Sequence, residues 1–197
     1  MLLVMGDTAM AMELLKTYIN SKINIDEATL DTILGAFENK TFEKDTPIIK
    51  MGQYVTKYYF IASGGARIVI ETPEKEITAW LIFENKFFTD LESLRSGQQS
   101  KAKVLSIDRT EIFSIKARKM HEFYTEFPEW QKFGRIIMED AFLDVVNSLI
   151  SFQVMDAETR YLEMLKKSNA INRVPLKQLA SYLGITPNSL SRIRKNI

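Results

Sequence analysis

Apolar residues recur at intervals of three and four at both ends of the chain, and alternate or cluster in short runs between. Met12, Leu15, Ile19 and Ile23 set one helical stripe; a second helix is expected from Asp26, a capping residue, to Phe37, with Leu30, Ile33 and Leu34 on the same face. From about Thr41 the period changes. The stretches TFEKDT, YYFIAS, ARIVIE, EITAWLIF and KVLSIDRTEIFSI are short and rich in β-branched and aromatic residues, and turn clusters at 51–53, 63–65, 72–75 and 96–98 separate them. Short strands with near-regular turn signals predict a β-sandwich or barrel over residues 41–116.

Helical spacing returns over 117–154. With Pro128 at its start, the segment Glu129 to Phe152 reads as one helix much longer than average. Trp130, Ile137, Met138, Ala141, Val145 and Leu149 fall on one side, and Phe133, Ile136, Leu143, Val146 and Ile150 on another. Only a narrow polar stripe is left, including Lys132, Arg135, Glu139, Asp144 and Asn147. A helix so apolar needs two covers. One is expected to be its own β-domain and the other the same helix of a second subunit, with the first set of six at the subunit contact. The alternative is burial within one chain.

After a break at Asp156 and a helix over Ala157–Lys167 comes LKQLASYLGITPNSLSRIRK, residues 176–195. Leu176, Leu179, Ala180 and Leu183 share a helix face, and Gly184 supplies the positive φ of a tight turn. Thr186 and Pro187 open a second helix as cap and first residue. Leu190 and Ile193 face back, leaving Asn188, Ser189, Ser191, Arg192, Arg194 and Lys195 outward. These side chains suit base edges and phosphates, so the segment reads as a helix-turn-helix, with an ordinary helical hairpin as the alternative.

Charge favours the first reading. The whole chain carries only +1, yet Glu163 is its last acidic residue, and Lys166, Lys167, Arg173, Lys177, Arg192, Arg194 and Lys195 follow it unopposed. Cations gathered on one small unit are the electrostatic footprint of a nucleic-acid binder. Composition narrows the rest. With 46% hydrophobic residues the chain can pack a core; with no cysteine it has no disulfide or thiolate metal site. His121, in KARKMHEFY, is the only histidine, which leaves an enzyme of cupin type without metal ligands and a Ser-His-Asp mechanism with a single candidate base. No run approaches the roughly 20 apolar residues of a membrane span, and the opening MLLVMG is short for a signal core, so a cytoplasmic, non-enzymatic protein without metal or cofactor is expected.

The order of parts, with VPLKQLASYLGITPNSLSRIRK, AETRYLEML and YYFIASGGARIVIE as its most specific pieces, resembles the Crp/Fnr family of bacterial transcription regulators. Within it, the chain is most similar to the Crp-like members common in the Bacteroidetes. The resemblance covers nearly the whole chain. It implies an α+β fold: N-terminal helices with a double-stranded, jelly-roll-like β-roll sensor over 1–127, a long dimerisation helix over 128–154, and an all-α helix-turn-helix domain over 155–197. It further implies a homodimer on a palindromic double-stranded DNA operator, and it admits RNA polymerase as a further partner. Pro187, Asn188 and Arg192 would take the base-reading positions, and Lys177 and Arg173 would meet phosphates. The chain ends at Ile197, so the β-hairpin wing of many members is expected to be absent or minimal.

A second departure lies in the sensor. Where family members that bind cyclic nucleotides carry Gly-Glu-Leu and Arg-Ser/Thr-Ala, this chain has Thr89-Asp90-Leu91 and Gln99-Ser100-Lys101. Asp90 keeps a carboxylate of shorter reach and Ser100 a hydroxyl. Gln99 cannot supply the charged fork a buried phosphate requires, and Lys101 falls on the opposite face of a strand unless the loop slips. Cyclic AMP bound in the family's usual manner is not expected. Tyr58, Tyr59, Phe60, Trp80 and Phe83 suit either core or a pocket for a small apolar or amphipathic effector. The alternative function is a cyclic-nucleotide or other small-ligand-binding signalling or interaction module.

Overall fold

The structure is a computed structural model that describes residues 2–196, with side chains from residue 9 onward. The side chains of the opening MLLVMG, and Ile197, lie outside the described residues. Helix α1 (Leu2–Lys22) buries Leu15 and Ile19 on the stripe read from sequence. Helix α2 (Glu27–Leu34) starts where Asp26 accepts a hydrogen bond from the Thr29 amide (2.9 Å) and stops three residues short of Phe37. Phe37 is nevertheless buried in the same core.

Eight strands follow: β1 (Glu38–Phe42), β2 (Pro47–Ile49), β3 (Lys57–Ser63), β4 (Gly65–Glu71), β5 (Glu76–Phe83), β6 (Lys86–Phe88), β7 (Lys103–Ser106) and β8 (Thr110–Lys116). They form two antiparallel four-stranded sheets, ordered β1-β8-β3-β6 and β2-β7-β4-β5. Alternation sorts their side chains as a pleat requires. Tyr59, Ile61, Ala66, Ile82, Val104 and Ile112 point between the sheets. Phe60, Phe113 and Ile115 point out from the first sheet, under α1, α2 and the helices after β8. The turn cluster at 96–98 is not a strand connection. It ends a short helix, α3 (Leu91–Ser96), whose C-cap is Gly97 at φ 69°.

Helix α4 (Ala117–Glu126) is separated from α5 (Pro128–Val154) by Phe127 alone. Proline disfavours helical geometry in the residue before it, and Phe127 is extended at φ −124°, ψ 103°. Pro128 then opens α5, where its missing N–H costs nothing. The 27 residues of α5 behave as two halves. Trp130, Phe133, Gly134 and Ile137 are buried in the chain's own core. From Met138 onward the apolar side chains are largely exposed: Phe142 at 68%, Leu149 at 58% and Val145 at 52%.

This corrects two of the six residues expected at a subunit contact. Trp130 stacks on Phe133 (centroids 4.6 Å) and meets Phe37 edge-on, and Ile137 lies in the same cluster, so neither is available to a partner. Beyond Ile137, α5 is tied by charge to α1 and to β6: Asp140 pairs with Lys22 (2.6 Å) and Asp144 with Lys86.

Asp156 caps α6 (Ala157–Lys167) through the Thr159 amide (2.8 Å), and a 3-10 turn at 169–173 leads to α7 (Leu176–Leu183) and α8 (Pro187–Lys195). Gly184 has φ 74° between the last two helices, and Thr186 caps α8 by accepting from the Ser189 amide (3.1 Å). The core of these helices, with Tyr161, Leu179, Ala180, Leu183 and Leu190 buried, takes in Ile107, Leu81 and Phe83 of the β-domain. Among the described residues, no helix is long and apolar enough to cross a membrane.

Candidate nucleic-acid interface and effector cleft

The α7–α8 pair presents part of the expected polar set. With Leu190 buried and Ile193 half-buried against α7, helix α8 exposes Pro187, Asn188, Arg192 and Lys195. Neither Arg192 nor Lys195 joins an ion pair among the described residues. Ser189 and Ser191 are half-buried, and the Ser189 hydroxyl lies 2.9 Å from that of Thr186.

Two of the expected DNA-contacting arginines are engaged inside the chain instead. Arg194 turns back: its Nε donates to the Tyr161 hydroxyl of α6 at 3.1 Å. Arg173 reaches the β-domain, pairing with Glu84 (2.6 Å) and Asp108 (3.3 Å) and donating to the Gly64 carbonyl (3.2 Å). A guanidinium offers donors in a planar fork, and here that fork is taken up by two carboxylates and a carbonyl. Lys177, at the start of α7, is exposed. It lies near Glu76, whose carboxyl is held below its ordinary range by the hydrogen bond from Lys103, with the charges of Lys103, Arg67 and Lys177 adding to the effect.

Glycine at 64 is a requirement of this junction. Its φ is 85°, its N–H donates to Glu84 (3.0 Å), and a Cβ would stand 2.6 Å from the Arg109 carbonyl oxygen. Gly64→Ala combines a left-handed penalty with an overlap against backbone, and is expected to cost about 3 kcal/mol of stability in denaturant titration. A cost below about 0.5 kcal/mol, ordinary for a surface substitution, would contradict this account of the turn.

The residues aligned with a cyclic-nucleotide pocket largely satisfy one another. Thr89 donates to the Lys57 carbonyl (2.9 Å). Asp90 caps α3 through the Ser93 amide (3.0 Å) and accepts the Ser100 hydroxyl (2.6 Å). Gln99 is exposed and bridged to Tyr54, and Lys101 pairs with Glu92 on the surface. The space between the sheets is filled by side chains, including Tyr59 stacked on Phe88 (centroids 5.2 Å).

An open cleft of about 1680 Å³ runs instead between β5–β6, α5 and α6. Of the six residues expected in the pocket, Thr89 and Leu91 line it; Asp90, Gln99, Ser100 and Lys101 do not. Of the aromatic candidates, Tyr58, Trp80 and Phe83 line it, whereas Tyr59 and Phe60 are core. His121 also faces the cleft, its ring 6.3 Å from that of Tyr58. Sequence reasoning missed the cleft's charge. Its carboxylates Glu84, Asp140, Asp144 and Glu163 are all ion-paired. Of its five cations, Lys86 and Arg135 are paired, whereas Arg95, Arg160 and Lys167 have no such partner among the described residues. Arg160 lies over Phe152 (4.4 Å) and donates to the carbonyls of Met155 and Leu183, closing the ends of α5 and α7.

Residues 39–127 match the family described as cyclic nucleotide-binding domain. No curated protein matches the chain. Solved structures do. The c-di-GMP responsive global regulator CLP of Xanthomonas campestris is 15% identical with a TM-score of 0.66, over 87% of this chain and 91% of that one. FixK2 from Bradyrhizobium japonicum is 15% identical with a TM-score of 0.68, over 81% and 83%. The catabolite activator protein of Thermus thermophilus is 19% identical with a TM-score of 0.52, over 88% and 84%. At these identities the likeness is one of fold. Residues 39–127 are thus similar to a cyclic nucleotide-binding domain, and the chain as a whole has the mixed α/β fold of these solved structures, among them a protein described as a putative transcriptional regulator of the crp/fnr family from Eubacterium rectale (18% identity, TM-score 0.64, over 87% of this chain and 83% of that one).

Proposed function

We propose that the protein is a homodimeric, sequence-specific DNA-binding transcription regulator, with α7 and α8 as a helix-turn-helix. The observation that carries this reading is the outward face of α8, where Asn188, Arg192 and Lys195 stand exposed and the two cations are unpaired by any described carboxylate. The exposed half of α5 supports the dimer. Met138, Phe142, Val145, Leu149 and Phe152 are spaced four, three, four and three apart, the seam of a coiled coil. Ala141 is exposed beside that seam. Two reading helices related by a two-fold enter successive major grooves about 34 Å apart, so the operator is a rough palindrome. Asp90 and Ser100 bonded to each other, with Gln99 outside, support a sensor that does not take a cyclic phosphate there. An effector would instead occupy the cleft and act through α5.

Selection of genomic fragments on the purified protein tests the reading, and a palindromic site with half-sites one turn apart is the expected product. Arg192→Ala should then cost about 1–3 kcal/mol of discrimination between that site and random duplex, because a bidentate Arg–guanine pair is the commonest specific contact. Lys177→Ala should weaken both duplexes alike and flatten the salt slope by about one. An unchanged specificity ratio in Arg192→Ala would remove α8 as the reading element.

A further inference from the structure

The face by which the C-terminal helices dock on the β-domain is ionic where the sequence places phosphate ligands. Arg173 is held by Glu84 and Asp108. Lys177 stands in the field of Glu76. One residue on, Gln178 donates to Asp45 at 3.3 Å. The acceptors Glu84, Asp108 and Asp45 belong to the β-domain, and Arg173 and Gln178 to the turn before α7 and its first residues, with Lys177 between them; this is the part that rests on the sugar-phosphate backbone in such units. A carboxylate and a phosphate offer a guanidinium the same paired-oxygen edge. The β-domain therefore holds these side chains as a DNA backbone would.

The seam is poised rather than sealed. Leu81, Phe83 and Ile107 contribute apolar contact, and the Thr78 amide donates to the Ser181 hydroxyl (3.0 Å). Against these, Gln178 Oε1 is buried without a partner, and so is Nε of Arg67, whose guanidinium lies in the fields of Glu76 and Asp45. Arg173 and its two carboxylates are each about a third exposed. Such pairs exchange readily for a competing anion.

We propose that Glu84 and Asp108, with Glu76 and Asp45 beside them, form an internal phosphate mimic: by engaging Arg173 and its neighbours the β-domain competes with DNA, and undocking the helices frees those side chains for the duplex. The inference rests on the DNA-binding reading above. It assigns Arg173 two alternative partners, one in the chain and one on the nucleic acid.

The test uses the full chain in four forms: unaltered, Glu84→Gln with Asp108→Asn, Arg173→Ala, and all three substitutions together. Affinity for a mixed-sequence duplex is measured by anisotropy across a salt series, with amide exchange of residues 78–83 and 176–183 followed alongside. Slow exchange at Trp130–Ile137 in the core verifies that each variant is folded. The double variant is expected to bind about fivefold tighter and to steepen the salt slope by about one, as one more phosphate contact becomes available. Its seam amides should exchange faster. Adding Arg173→Ala should abolish both gains while the seam stays loose. Duplex binding that the double variant leaves unchanged in strength and slope overturns the mimic alone, and so does a seam whose exchange does not respond. Failure of every form, the unaltered chain included, to bind any duplex overturns the DNA-binding reading and the mimic with it.

Discussion

Val145→Glu combined with Leu149→Glu is expected to yield a monomer that binds its operator at least about a hundredfold more weakly. The two side chains are 52% and 58% exposed on a seam that also carries Phe142 at 68%. Burying each such side chain against a partner is worth about 1.5–3 kcal/mol, and a carboxylate in its place must be desolvated without a counter-charge. Loss of the proposed dimer would also separate its two proposed reading helices. Linked heads gain roughly 10²–10⁴ in apparent affinity from effective concentration, and a monomer forfeits it. Sedimentation equilibrium reads the first effect and operator titration the second. Because neither residue belongs to a buried cluster, the circular dichroism spectrum should stay that of a folded helical chain. A variant that sediments as a dimer would sink the assignment of this seam.

Trp130→Ala should behave in the opposite way, costing about 3–5 kcal/mol of folding stability while leaving the association of the folded fraction intact. Trp130 is fully buried, stacked on Phe133 and set edge-on to Phe37. Its removal opens a cavity among α1, α2, α4 and α5 rather than at a subunit contact. A domain of this size has about 5–15 kcal/mol in hand, so the variant should remain folded in dilute buffer with a much lower denaturant midpoint. A cost below about 1 kcal/mol, accompanied by dissociation, would restore Trp130 to the dimer face.

The contrast between these two positions shows what was legible in the sequence. Both lie on one apolar stripe of α5, and the period alone assigned them to one surface. Which half of a doubly apolar helix its own chain covers is decided by tertiary packing: the N-terminal helices and the β-domain cover α5 as far as Ile137, and beyond it Lys22 of α1 and Lys86 of β6 pair with Asp140 and Asp144. Local chemistry read more surely. The Asp26 and Thr186 caps, the break at Asp156, the glycine turn at 184 and the proline start of α5 each depend on neighbours within a few residues, and each stands where the sequence put it. The candidate site was legible only in part for the same reason. Arg192 and Lys195 have no described carboxylate to divert them, whereas Arg173 and Arg194 find partners far away along the chain, at Glu84, Asp108 and Tyr161. Asp90 has the local signature of a helix cap as well as of a ligand, and its bond to the Ser93 amide follows the cap.

The three β-domain side chains in the core of the C-terminal helices set a limit on how the molecule comes apart. Leu81, Phe83 and Ile107 are as much the floor of α7 as Leu179 and Leu183 are its underside. A unit whose interior is partly shared cannot leave the β-domain for nothing: undocking α7 and α8 uncovers Leu81, Phe83 and Ile107 together with the side chains packed on them, and that apolar surface sets the cost of the undocked state. The β-domain and the C-terminal helices thus share part of one core, which opposes the undocking that the proposed exchange of partners requires. Exchanging the head for that of a relative would require carrying those three positions along with it.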